Sequence, residues 1–165
     1  MAMPPESKEL TLIVIKPESI KQRLVGAILE RFEAAGLTIV SIRSITVAAE
    51  LAGRHYSPEL GLRRGEELRA RAIEHLAGKR VVVVVLEGRH AVEIARNTVG
   101  HNVDPTECSP GTIRHDLGTD SVEKAVRERR SVRNLVHASD SPSAAREEIA
   151  LWTDPFEKGS TPERE

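Results

Sequence analysis

Apolar side chains recur along this chain with two different periods, and the two periods predict strands and helices in alternation. Two dense β-branched runs, TLIVIK at 11–16 and VVVVVL at 81–86, are typical of buried strands. Residues 37–47 alternate in part and predict a second strand, and the short run NLVH at 134–137 predicts a fourth. The VVVVVL run contains no polar position, so we expect it near the centre of a sheet.

Helices are predicted between the strands, where apolar residues recur every three or four positions. After the first strand one helical face is apolar, and Gly36 suits the helix end. The apolar face consists of Leu24, Val25, Ile28, Leu29 and Phe32. Further helices are predicted at 48–77 with a break near 56–58, at 90–99, at 120–130 and at 141–152.

The order of elements is β-α-β, a helical hairpin, β-α, a long polar loop and β-α. This order predicts an α/β (α+β) fold of the ferredoxin-like βαββαβ type, with a four-stranded antiparallel sheet and helices covering one sheet face. A single domain is expected over residues 10–153. Residues 1–9 are predicted to form a flexible N-terminus, and residues 154–165 a short, disordered C-terminal tail.

Charge and composition argue against several classes of protein. The chain has 165 residues, and its 24 Lys and Arg nearly cancel its 25 Asp and Glu, which argues against a general nucleic-acid binder. Cys108 is the only cysteine, so neither an internal disulfide nor a cysteine zinc site is expected. The sequence contains no apolar stretch of membrane-spanning length and no signal-peptide core, so we expect a cytoplasmic protein without membrane contact.

One acidic residue interrupts an apolar helical face near the C-terminus. In the last predicted helix, Ala145, Ile149 and Trp152 form the inward stripe, and Glu148 lies within it. A carboxylate at a buried edge needs a partner, because unpaired burial is costly. His137, just before this helix, is one candidate partner, and the alternatives are contact with solvent or with an arginine.

Three basic residues lie at the ends or edges of predicted core elements. Lys16 ends the first strand, Arg96 flanks the apolar face of a short helix, and Arg114 follows a turn. Each alone is typical of a side chain that extends to solvent, whereas together they offer what a polyphosphate pocket requires. Neither GxxxxGK[ST] nor a strand followed by GxGxxG is present, so side chains rather than a glycine-rich backbone would form such a site.

Five segments, in this order, resemble the nucleoside diphosphate kinase family. They are IKPES at 15–19, RHYSPEL at 54–60, EGRHAVEIARNTVG at 87–100, PGTIRHD at 110–116 and NLVHASDS at 134–141. The EIALW near the C-terminus fits as well, so the match covers nearly the whole chain. NLVHASDS preceded by PGTIR is highly specific, whereas IKP alone would be weak.

The resemblance implies a ping-pong transfer of the γ-phosphate from a nucleoside triphosphate to a nucleoside diphosphate. His137 corresponds to the family's nucleophile, which forms a phosphohistidine. Glu148 corresponds to the glutamate that hydrogen-bonds the far ring nitrogen, and Ser139 to the serine that supports this glutamate. Lys16 corresponds to the lysine at the transferred phosphate, and Tyr56 to a tyrosine close by.

The remaining implied roles concern nucleotide binding. Arg96 and Arg114 correspond to arginines that hold the phosphates, and Asn134 to the asparagine at the ribose. Mg²⁺ is expected to arrive on the nucleotide phosphates, without a protein ligand. ATP and other nucleoside tri- and diphosphates are the expected partners, and a homo-oligomer, either hexamer or tetramer, is expected.

The chain departs from the family pattern in the region that would hold the nucleobase. The usual aromatic after Tyr56 is missing, so either Arg63 or Arg64 stacks on the base or this stretch is simply a solvated helix. The loop GHNVDP is one residue longer than usual and lacks its threonine, which makes Asn102 a candidate phosphate donor.

An extra segment at 117–132 separates Arg114 from His137 more widely than is common in the family. It either closes over the nucleotide or is a surface insertion or subunit contact. Five other histidines are interpreted as surface or structural residues: His55, His75, His90, His101 and His115. The alternatives to the kinase are a non-catalytic regulatory relative that binds nucleotides, and a protein that passes its phosphohistidine to another protein.

Overall fold

The computed structural model describes residues 8–153, which contain four strands and nine α-helices. The predictions for residues 1–7 and 154–165 lie outside the described residues. In chain order the elements are β1 (Glu9–Ile15), α1 (Pro17–Lys21), α2 (Val25–Ala34), β2 (Thr38–Thr46), α3 (Ala49–His55), α4 (Pro58–Arg64), α5 (Glu66–Leu76), β3 (Arg80–Gly88), α6 (Ala91–Val99), a short 3₁₀ turn (Pro105–Glu107), α7 (Ile113–Leu117), α8 (Val122–Arg127), β4 (Val136–Ala138) and α9 (Pro142–Thr153).

The four strands form one antiparallel sheet in the order β2-β3-β1-β4. This order, with helices in the crossovers, confirms the predicted ferredoxin-like fold. β3 and β1 occupy the two central positions, as the VVVVVL run predicts. β4 is a three-residue edge strand that pairs with β1 alone, from Ile13 opposite Ala138 to Ile15 opposite Val136.

Helices cover both faces of the sheet, so the expectation of one covered face was wrong. On one face, α2 and α6 pack Phe32 and Val99 against the sheet. On the other, α3, α5 and α9 contribute Leu51, Leu76 and Trp152. The reason is visible in β1 and β3: a continuous apolar run presents hydrophobic side chains to both sides, and each side needs cover.

Left-handed backbone positions set several element boundaries that differ from the predictions. The predicted hairpin at 48–77 has the expected break at Tyr56 and a second break at Gly65, which has φ 97°. It therefore consists of three helices. Arg129 (φ 51°) ends α8 early, and Leu135 (φ 73°) delays the start of β4. None of the helices within residues 8–153 has the length and apolar character that a bilayer crossing requires.

Candidate active site around His137

His137 is the middle residue of β4 and lies opposite Val14 of β1. Its neighbours Val136 and Ala138 belong to the core beneath α2 and α6. Because successive strand residues point to opposite faces, the His137 side chain projects toward α3 and α9. The strand fixes its backbone, while the imidazole remains 22% exposed.

Glu148 of α9 holds one nitrogen of the His137 ring. The distance from His137 Nε2 to Glu148 Oε2 is 2.9 Å, and Ser139 Oγ donates to the same oxygen at 2.6 Å. Burial alone would raise the pKa of the Glu148 carboxyl, but the hydrogen bonds from His137 and Ser139 outweigh it and keep that pKa low. Of the partners that the sequence left open for Glu148, the structure therefore provides His137.

An ionised Glu148 determines the tautomer of His137. A carboxylate only accepts hydrogen bonds, so Nε2 carries the ring proton and Nδ1 carries the lone pair. Within residues 8–153, no hydrogen bond occupies Nδ1 of His137. The ring thus presents an unoccupied nucleophilic nitrogen on the side away from the carboxylate.

Lys16 ends β1 and precedes α1, where its side chain is buried. Nζ donates to Asn134 Oδ1 at 2.6 Å. Burial lowers the pKa of Lys16 to about 8; nearby Glu18 opposes this shift and Arg114 adds to it. Burial removes much of the hydration of this ammonium, so an anionic ligand would stabilise its charged form.

The guanidinium of Arg114 is largely committed to main-chain oxygens. It makes four hydrogen bonds, to the carbonyls of Gly100, Asn102, Asn134 and Val136. A guanidinium has five N–H groups, so one is left for a ligand. Burial lowers the pKa of Arg114 to about 10, which leaves it charged at neutral pH.

Arg96 occupies a more open position on α6. Its Nη1 lies 3.2 Å from Asp140 Oδ1, and the Asp140 side chain is 76% exposed. A pair this open contributes only ~0–1 kcal/mol, so Arg96 can exchange Asp140 for a phosphate at little cost. Arg96 lines a depression with His101 and Asp140, which is separate from the cavity beside Lys16.

A short turn before β4 is held by residues of α1. Leu135 has a left-handed backbone; its N–H donates to Glu18 Oε1, and its carbonyl accepts from Ser19 Oγ. The other oxygen of Glu18 lies 2.7 Å from His75 Nε2. These contacts fix the bend that separates Asn134 from His137. No local sequence pattern predicted these roles of Glu18, Ser19 and His75.

A cavity of about 500 Å³ opens beside Lys16, Tyr56 and Asn134. Its further walls are mainly aliphatic and come from α4, α5, the loop after α6, and α8: Leu60, Leu68, Val103, Val122, Ala125 and Val126. Thus α8, within the extra segment at 117–132, forms one wall of this cavity. Burial raises the pKa of the Tyr56 phenol, so this group stays protonated and able to donate.

The three other base- or phosphate-binding candidates are placed differently. Of the two arginines proposed to stack on a base, Arg64 lines the cavity and Arg63 does not. Asn102 lies outside the cavity lining, and its side-chain oxygen accepts from the N–H of Asp104 at 3.0 Å. Its carbonyl accepts from Arg114 at 2.7 Å, so Asn102 supports Arg114 through its main chain, while its side chain is used in a local turn.

His55, interpreted from sequence as a surface or structural residue, contacts the ring of His137. The two ring centroids are 4.6 Å apart. Its position directly before Tyr56 in RHYSPEL is the one sequence signal that could have drawn attention to it. Among the described residues, His55, His137 and Glu148 also form the group that could hold a metal ion, with ligand atoms within 4.8 Å of one another.

Comparisons with known proteins identify the family to which the chain belongs. The sequence model of the family described as nucleoside diphosphate kinase matches residues 9–158. A nucleoside diphosphate kinase of Pyrococcus furiosus is 40% identical over 149 residues, covering 90% of this chain and 85% of that protein. One from Herpetosiphon aurantiacus is 38% identical, covering 87% of each.

Two solved structures show the same fold. A nucleoside-diphosphate kinase from Borrelia burgdorferi, a transition-state mimic with bound vanadate and ADP, has a TM-score of 0.86 at 30% identity, covering 91% of this chain and 89% of that one. An NDP kinase from Pyrobaculum aerophilum has a TM-score of 0.83 at 34% identity, covering 92% and 98%. Sequence and fold thus agree, and the chain belongs to the nucleoside diphosphate kinase family.

Proposed function

We propose that this protein transfers a γ-phosphate between nucleotides through a phosphohistidine at His137. The observation that carries the proposal is the hydrogen-bonded series Ser139–Glu148–His137, which leaves Nδ1 as the nucleophile. The same series makes a non-catalytic relative a weaker explanation, because a protein that only binds nucleotides has no need of an oriented imidazole.

In the first half-reaction, Nδ1 of His137 attacks the γ-phosphorus in line with the bond to the β-phosphate oxygen. The N–P bond forms, the P–O bond breaks, and the nucleoside diphosphate leaves with that electron pair. The ring keeps its Nε2 proton, and Glu148 stabilises the positive charge that develops on the imidazole. In the second half-reaction, a different nucleoside diphosphate attacks the phosphohistidine and reverses these steps.

The basic residues would stabilise the phosphates rather than take part in bond making. Lys16 is proposed to neutralise the transferred group, with Tyr56 donating nearby. Arg114 and Arg96 would bind the remaining phosphates, the first through its one uncommitted N–H group. In this scheme the protein supplies positioning and electrostatic stabilisation, which are the main requirements of phosphoryl transfer.

Mg²⁺ fits this site only as a companion of the nucleotide. Among the described residues, Glu67 is the one carboxylate that lines the cavity, and it is paired with Arg71. Mg²⁺ prefers several oxygen ligands, so the phosphates of the substrate would hold it, where it neutralises charge. Lys16 Nζ and the side-chain amide of Asn134 would then bind the nucleotide that carries Mg²⁺.

The nucleoside end is proposed to occupy the cavity of about 500 Å³. Asn134 and Lys16 form a buried part of its lining, and the more exposed walls are mainly aliphatic. Aliphatic walls exclude water from a base without distinguishing its hydrogen-bonding edge, so broad base tolerance is expected. A homo-oligomer, hexamer or tetramer, and a cytoplasmic setting remain proposals, the first testable by light scattering.

One labelling experiment tests the function. Incubation with γ-labelled ATP and Mg²⁺ should give an acid-labile, base-stable phosphoprotein. Addition of GDP or CDP should then remove the label and yield labelled triphosphate. No label would refute the kinase and favour a non-catalytic relative, while label that nucleotides fail to remove would favour transfer to another protein.

A further inference from the structure

His55 lies against the nucleophilic ring but takes no part in the transfer scheme above. Its ring plane is at 89° to that of His137, with the centroids 4.6 Å apart. It is the last residue of α3, and the Tyr56 ring packs against it at 4.8 Å. A perpendicular ring at this distance is in van der Waals contact and favourable for two aromatic systems.

Trp152 of α9 fixes the His55 ring in turn. Its indole Nε1 donates to His55 Nδ1 at 3.2 Å, and the indole itself is buried. An indole nitrogen can only donate, so His55 must be neutral with its proton on Nε2. Burial, reinforced by the nearby His137, lowers the pKa of His55 to about 3, so the neutral form persists in neutral solution.

The same helix therefore acts on the nucleophile at two points. Glu148 and Trp152 are four residues apart on α9, which places them on one helical face. Glu148 binds the His137 ring directly, whereas Trp152 reaches it through His55. A ring held at one nitrogen alone can still tilt about that hydrogen bond, and in-line attack requires a lone pair of fixed direction.

We propose that His55 is a positioning residue, whose ring, held by Trp152, prevents the His137 imidazole from tilting. The inference rests on the proposed phosphoryl transfer through His137. It assigns a role to the contact between α3 and α9 beyond core packing. The positioning role requires only that the His55 ring packs against His137 and accepts the hydrogen bond from the Trp152 indole. It requires no proton transfer.

The first test compares three variants in single-turnover labelling at saturating ATP. His55→Ala should form phosphohistidine about tenfold to 100-fold more slowly, with the affinity for ATP little changed, because a misdirected nucleophile slows the chemical step. His55→Phe restores a ring and should recover part of the rate. The control Leu51→Ala removes a buried side chain from the same helix and should lower thermal stability without slowing the reaction of folded protein.

A double-mutant cycle tests the route through Trp152. Trp152→Phe should slow labelling in the wild-type background and have little further effect in the His55→Ala background. Independent, additive effects would overturn the indirect role of Trp152. In ¹⁵N NMR of the His137 ring, His55→Ala should broaden the signals of the Nε2–H tautomer, while Leu51→Ala should not.

The outcomes separate this inference from the proposed function. If the wild-type protein is not labelled, the kinase proposal fails, and the variants are not needed. If the wild type is labelled and His55→Ala reacts at the same rate at saturating ATP, only the positioning role is overturned. The His55→Phe variant keeps this test decisive should His55→Ala fail to fold.

Discussion

The site has two regions: the surroundings of His137, here called the histidine end, and the cavity beside Lys16, called the nucleoside end. They differ in how firmly side-chain contacts fix their geometry. At the histidine end, Glu148, Ser139 and Lys16 each have a side-chain partner at 2.6–2.9 Å. At the nucleoside end, the walls are mainly aliphatic, and Val126 and Leu68 are 63% and 49% exposed. Directional contacts fix a reaction geometry, whereas aliphatic walls only favour burial. On the proposed function, the difference predicts selectivity for the transfer and tolerance of the base.

The largest expected effect is at the nucleophile. His137→Ala should abolish phosphohistidine formation, because it removes the imidazole that would carry the phosphoryl group. Binding of ADP, measured by calorimetry, should change only a few-fold, since the cations and the cavity remain. Residual acid-labile label on the variant would show that another residue accepts the phosphate.

The next effect concerns the charge behind the ring. Glu148→Gln keeps the shape of the side chain but removes its negative charge, so transfer should slow on the order of 100-fold. The measurement is the rate of labelling at saturating ATP, with nucleotide affinity as the internal control. An unchanged rate would mean that the developing imidazolium needs no carboxylate.

A pH series tests whether the Lys16 ammonium contributes to nucleotide binding. As pH rises through about 8, Lys16 loses its proton in the folded protein, and nucleotide affinity should fall by up to about tenfold. The free energy of unfolding should instead rise with pH over this range. Between about 8 and the ordinary value of 10.5, the unfolded chain binds more protons at Lys16, so this residue's contribution to the free energy of unfolding rises with pH.

The variant Lys16→Met is the control for this pH series. It should bind nucleotides weakly at every pH and lack the change near pH 8. Isothermal titration between pH 7 and 9.5 measures the affinity, and thermal melting over the same range measures stability. A wild-type affinity that stays constant across this range would refute the assignment of Lys16 to phosphate binding.

The smallest effects are expected at α8. Val126→Asp places a charge in the apolar wall and should raise KM for all nucleotides about threefold to tenfold, leaving kcat unchanged. Arg129→Ala is the matched control, because Arg129 is exposed on the same segment and lies outside the cavity lining. A similar rise in KM in both variants would indicate a general effect of charge, and not a contact between the nucleotide and the α8 wall.

The sequence predicted the sheet and the directly paired residues well. Hydrophobic periods are local, so they located all four strands, and a carboxylate on an apolar helical face indicated that Glu148 needed a partner. The two-sided burial of β1 was also implicit in its continuous apolar run, although one covered face was predicted.

What the sequence could not show depends on distant contacts. His55 meets Trp152 across 97 positions, and the position of His55 before Tyr56 is the one local signal that links this pair to the site. Similarly, the left-handed Leu135 is stabilised by Glu18 and Ser19, more than 100 positions earlier, and this shifts the start of β4. Such a backbone is unfavourable for a leucine in isolation, so only the folded surroundings explain it.

The main-chain contacts of Arg114 have a consequence for reading related sequences. Its guanidinium replaces a missing neighbour along the open edge of β4, where it binds the carbonyls of Asn134 and Val136. A descendant that had abandoned catalysis would still need this arginine to keep its last strand in place. Retention of Arg114 is therefore explained by its structural contacts alone. On the proposed function, loss of Lys16 or His137 would be the better marker of a relative without activity.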